Sequence, residues 1–180
     1  MKAPEFDREK FKDAMHYAIA NAGGHAGFGA VKLYKVLWFS DSKTYVLRGT
    51  PITGEEYIRR QHGPVPKHAL EILTELEKEG RIRVRKAPFG DYSQWQFKSL
   101  KPARTSRFDS DEIQSLKHWI RCIDEDHTAQ SISDESHDDY AWEIAKMGEP
   151  LPYYAFLANR LRDPTDEDFE RAKRRWGTRG

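Results

Sequence analysis

The sequence predicts a mostly α-helical fold with a small β-hairpin, an α+β chain forming a single compact helical domain. Three observations carry this expectation. Apolar residues recur at helical spacing in several separated runs, one stretch alternates strictly between charged and apolar residues, and no repeat or low-complexity tract divides the chain into two cores. At 180 residues the chain suits one domain that buries roughly 70% of its unfolded surface. Residues 1–162 are assigned to that domain, N-terminal helix included, and 163–180 to a C-terminal helical extension.

Phe11, Met15, Ala18, Ile19 and Ala22 share one helical face, and Gly23 and Gly24 are expected to stop that first helix. From about Ala30 a second helix places Leu33, Val36, Leu37 and Ser40 on one side and Tyr34, Trp38, Asp41 and Tyr45 on another. A helix apolar on two sides is expected at the centre. Pro51 and Gly54 mark a turn, Tyr57 and Ile58 suit a short extended piece, and Gly63-Pro64 is expected to break it. Pro66 then suits the first position of a third helix, about Lys67 to Glu79, which ends at Gly80 in a left-handed cap.

The alternation Arg81-Ile82-Arg83-Val84-Arg85 and a second one carrying Trp95 and Phe97, joined around Phe89-Gly90-Asp91, read as the hairpin. Asp109 and Glu112 have capping-box spacing before Ile113, Leu116, Trp119, Ile120 and Ile123, which predicts a helix from about Ser110 to Asp126. Two shorter helical pieces follow, Thr128 to Ser136 and Tyr140 to Ala145, and Asp163-Pro164 sets off a last segment from Asp166 to Trp176.

Composition narrows the function. Thirty basic and twenty-nine acidic side chains nearly cancel, which argues against a surface built throughout for nucleic acid. Five Trp, eight Tyr and nine Phe supply the buried area that disordered chains lack. Cys122 is the single cysteine, so no internal disulfide or cysteine-rich zinc site forms. With no apolar signal segment and no run of ~20 apolar residues, a cytoplasmic location is expected, without a membrane partner.

Several constellations have a functional and a plain reading. Helix, strand, turn and strand from Lys67 to Lys98 resemble the second half of a winged helix with Arg81, Arg83, Arg85 and Lys86 on its wing, which would touch nucleic-acid phosphates; edge-strand arginines that discourage aggregation are the plainer role. Glu71, Glu75, Glu77 and Glu79 on the preceding helix are expected to repel such a partner. Glu135, His137, Asp138 and Asp139 are dense enough to suggest a divalent metal, yet adjacent residues do not share a helical face, so a polar helix cap is the simpler role. Cys122, on an apolar helical pattern, reads as a buried thiol, and no GxSxG, HExxH or phosphate-loop pattern occurs. No enzyme, catalytic residue, cofactor or metal is therefore expected.

The order of VKLYKVLWFSD, PITGEEYIRRQHGPVP, LTELEKEGRI, the hairpin and SDESHDDYAWEIAKMGEPLPYYAF resembles the SocA-like antitoxin family, the Panacea domain, from about Ala30 to Phe156. The features that carry it are the Lys-Leu-x-Lys-x-Leu opening at Lys32, Tyr57 leading into Gly63-Pro64-Val65, and Ser136-His137 followed by Trp142. Trp38 stands where a Tyr or similar aromatic is expected, a mild change, and the segment from Asp163 to Gly180 lies beyond the recognised part. The resemblance implies the antidote half of a bacterial or phage-associated toxin–antitoxin module, neutralising a toxin encoded nearby by direct contact. Partner contact is assigned to Trp38, Asp41, Tyr57, Gln61, Gly63, Pro64, Val65, His137 and Trp142, with Gln61→Glu and Tyr57→Ala expected to weaken binding without altering the melt. The Gly-Pro-Val-Pro corner has the alternative role of aiming the next helix, His137 and Trp142 that of packing, and the stripe of Tyr34, Trp38 and Tyr45 that of core. A winged-helix-like DNA-binding regulator and a metal-dependent enzyme are the two rival functions.

Overall fold

The computed structural model describes residues 4–22 and 27–158. Its elements run α1 (Arg8–Ala22), α2 (Ala30–Arg48), β1 (Tyr57–Arg60), β2 (Gly63–Pro66), α3 (Ala69–Lys78), β3 (Ile82–Phe89), β4 (Tyr92–Ser99), α4 (Ser110–Asp126), α5 (Ala129–His137), α6 (Tyr140–Ile144) and α7 (Ala155–Ala158). The mostly helical α+β expectation holds, with two antiparallel strand pairs in place of one. The stop at Gly23-Gly24 and the segment from Asp163 onward lie outside the described residues.

α2 is the central post, as its two apolar sides require. It packs against α1, α4, α5, α7 and β2, and buries Leu33, Val36, Leu37, Trp38 and Phe39 together. α4 starts where the sequence puts it. The Asp109 carboxylate accepts from the amides of Asp111 and Glu112, while the Glu112 side chain accepts from the Asp109 amide. α5 has the same device, built from Thr128 and Ser131.

α3 closes in a Schellman arrangement at Gly80 (φ 62°): Arg81 N–H donates to Leu76 O and Gly80 N–H to Glu77 O. That turn removes Arg81 from the wing. Its guanidinium points into the core, 2.7 Å from the Asp13 carboxylate and 3.1 Å from His16 Nδ1, so the expectation that Arg81 faces a nucleic acid is corrected.

A second correction concerns Gly63-Pro64, which continues the extended chain instead of breaking it. β2 pairs with β1 in the register Tyr57↔Pro66, Ile58↔Val65, Arg59↔Pro64, Arg60↔Gly63. Arg59 bonds away from β2, to Glu149 O and Gly148 N, so Pro64 and Pro66 occupy the register positions where no cross-strand amide is needed. Pro66 therefore ends a strand, and the helix starts at Ala69. The chain at 148–151 runs along the other edge of β1, with Leu151 N–H donating to Tyr57 O and a bridge between Ile58 and Pro150.

Candidate functional site

Residues singled out for partner contact converge on the β1–β2 hairpin and its support. Lys35, Trp38 and Asp41 follow at three-residue spacing along α2, so they line one side of the post and meet the hairpin in turn.

Lys35 is 1% exposed, and its ammonium donates to His62 O at 2.7 Å and Pro64 O at 3.4 Å. Burial alone pushes this amine down to about 7. The hairpin sits so close that glycine is required: Gly63 has φ 99°, and a Cβ there would lie 2.3 Å from Lys35 Nζ and 2.4 Å from Ser136 Oγ.

Trp38 packs edge-on against Tyr57 and Phe156, with centroids 5.0 and 4.7 Å apart, and its indole N–H donates to Asp139 Oδ2 at 3.3 Å. Asp41 accepts from the Thr53 amide at 2.7 Å, the Thr53 hydroxyl and the Tyr57 hydroxyl at 2.8 Å. Burial raises the Asp41 carboxyl to about 6 in spite of these donors. Burial, with Asp41 beside it, also holds the Tyr57 hydroxyl well above its ordinary range, so it remains a donor.

Next to the hairpin the His137 ring stacks on Trp142 at 4.1 Å, and the Arg59 guanidinium lies 4.4 Å from the centre of the same indole. Burial lowers the His137 pKa, helped by the Lys35 charge. Gln61 stands exposed at the hairpin tip between Arg60 and His62, with Val65 half-buried behind it.

Trp38, Asp41, Tyr57, Gly63, Pro64 and Trp142 are interior, His137 and Val65 are partly covered, and Gln61 alone is fully open. Tyr57→Ala thus cuts into the core, and only Gln61→Glu remains a surface probe. What sequence reasoning missed lies along the outer side of β1, where Arg59 meets Trp142 and the 145–149 chain. Tyr140, Ile144 and Met147 expose apolar side chains at 38, 43 and 59%, on α6 and the turn that leads into the β1 edge. The signal was present as apolar residues in a short segment otherwise rich in charge, but periodicity alone assigns them to a core.

Glu135, His137, Asp138 and Asp139 do not converge. Glu135 faces His127 at 3.5 Å, His137 covers Trp142 and Asp139 turns inward to Trp38. Among the described residues no group of three or more His, Cys, Asp or Glu side chains is placed to hold a metal ion. Cys122 is buried on α4. The sequence also gave no sign of His68, whose Nδ1 lies 3.0 and 3.2 Å from the two oxygens of fully buried Glu55, under a stacked Phe6. His68 and Phe6 border a groove of about 430 Å³ lined also by Tyr45, Leu151 and Tyr153.

Among the described residues no helix is long and apolar enough to cross a membrane. No curated protein and no solved structure matches the chain. The family model described as antitoxin SocA-like, Panacea domain, matches residues 33–143, from α2 into α6, and includes the β1–β2 hairpin with Lys35, Trp38, Asp41, Ser136, His137 and Trp142, but not the 148–151 chain along β1 or Phe156. With well over half of its length matched, the chain belongs to the SocA-like antitoxin family and carries the Panacea domain.

Proposed function

We propose that this protein is an antitoxin that neutralises a cognate toxin by direct contact, through the face made by the β1–β2 tip and the adjoining Tyr140–Met147 segment. Family membership supports the antitoxin role, and the observation that carries the choice of face is the exposure of Ile144 and Met147 beside a hairpin locked from beneath. Association costs side-chain and loop ordering, and a segment that is already fixed avoids much of that cost. The Lys35 bonds to His62 O and Pro64 O fix the tip. Apolar anchors flanked by polar side chains are the usual energetic centre of an interface. Here Tyr140, Ile144 and Met147 are the anchors, while Arg60, Gln61 and His62 form the polar border.

The experiment is growth of a bacterial host expressing the product of the neighbouring reading frame, alone and with this chain. Growth arrest by the neighbour and rescue by the chain is the expected result. A harmless neighbour, or arrest that persists despite good expression of a folded chain, would sink the antitoxin role.

A further inference from the structure

We propose that the outward face of the β3–β4 hairpin binds the phosphate backbone of duplex DNA, independently of the toxin-binding face. The register places Arg83 opposite Lys98 and Arg85 opposite Gln96, so three cations and an amide share one face of the ribbon. Arg83, Arg85 and Lys98 are all exposed, and among the described residues none is paired with a carboxylate. Like charges directly across an antiparallel pair repel, so this ribbon carries an electrostatic cost that a polyanion would relieve.

The acidic helix beside the ribbon does not cancel this charge. Glu71 and Glu75 pair with Arg8, and Glu79 pairs with Lys12 and Arg81. Glu77 takes the Val84 amide at 2.9 Å, along the outer edge of β3. Glu71, Glu75 and Glu79 are engaged toward α1 and Arg81, which reduces the repulsion expected from their number, while Glu77 keeps its charge at the strand edge.

The choice of nucleic acid over an acidic protein rests on what the face lacks. Over Arg83, Arg85, Gln96 and Lys98 the face holds no large apolar side chain, Ala87 and Gln94 follow, and Phe89 comes only at the turn, whereas protein interfaces depend on a central cluster of buried apolar and aromatic anchors. Phosphate contacts need only cations and amide donors. A two-stranded ribbon also fits the B-form major groove, which A-form RNA narrows too far to admit it.

The test is fluorescence anisotropy of a labelled random-sequence DNA duplex titrated with the full chain from about 50 to 200 mM salt. The wild type is expected to bind with an affinity that falls linearly on logarithmic axes. Arg83→Gln, Arg85→Gln and Lys98→Gln combined should weaken binding by about tenfold or more and reduce the slope by roughly two to three. Lys98→Gln alone should reduce it by about one, which decides the matter if the triple variant does not fold. No binding at the lowest salt, or an unchanged affinity and slope in the variants, overturns the proposal. Equal or tighter binding to duplex RNA or to poly-glutamate overturns it as well, the latter assigning the face to an acidic protein.

Discussion

Lys35 and Asp41 lie six residues apart on α2, and both are ionisable groups taken almost completely out of water. Neither is matched by a buried opposite charge. Lys35 has two carbonyl oxygens, and Asp41 has an amide and two hydroxyls. Such groups stabilise a fold through geometry more than through net energy, because desolvation opposes the hydrogen bonds they make. The balance depends on pH, and the signs can be worked out. The Asp41 carboxyl is raised to about 6, so its contribution is fully present below the ordinary carboxylate range and is lost as pH climbs through 6. The Lys35 amine is lowered to about 7, so its contribution is present above the ordinary lysine range and is lost as pH falls through 7. Taken together, these two groups make stability lowest between about pH 6 and 7. Denaturant titrations should show stability rising by about 1 kcal/mol per pH unit from about pH 7 to 9, a rise that Lys35→Met removes. An equal rise in the variant would show that other groups set the slope.

At the scale of elements, what the sequence makes legible depends on whether the signal is local. α4 was readable to the residue because a capping box is a contact between neighbours, and the end of α3 was readable because only glycine adopts the Gly80 conformation without strain. β2 was not. Gly-Pro-Val-Pro has the composition of a break, and it forms a strand only because β1 leaves its two prolines without an amide to supply and because Lys35, remote in sequence, holds the turn. Trp38 and Asp41 belong to the second side that makes α2 a central helix, yet an aromatic stripe has the same spacing whether it faces a partner or the core, so spacing alone does not choose between the two. The hairpin depends on its glycine. Gly63→Ala places a methyl against Lys35 Nζ and Ser136 Oγ in a backbone region unfavourable to alanine, and should cost about 2 kcal/mol or more. A thermal melt reads this directly, and an unchanged melt would mean that the hairpin lifts away from α2 without penalty.

Across the whole molecule, thirty cations and twenty-nine anions nearly cancel, yet they are not spread evenly. Acidic α3 is partly paired from α1, Arg83, Arg85 and Lys98 of the β3–β4 ribbon have no carboxylate partner among the described residues, and the outer side of β1 stands next to exposed apolar residues. The fold thus separates a charged face from an apolar one, although the average composition shows neither. If the apolar face holds the toxin, charge placed there should abolish neutralisation without touching the scaffold. Ile144 and Met147 contribute little to the core at their exposures of 43 and 59%, so Ile144→Asp with Met147→Asp should leave the melt within a few degrees of wild type. Burying two carboxylates at an interface centre is costly, and a loss of affinity of about a hundredfold or more is expected, read as lost growth rescue and lost co-purification of the toxin. Gln61→Glu, at the polar border, should act more weakly. Full rescue by the double variant would move the toxin to another face, and an effect of Gln61→Glu larger than that of the double variant would place the energetic centre on the hairpin tip instead of on the apolar segment beside it.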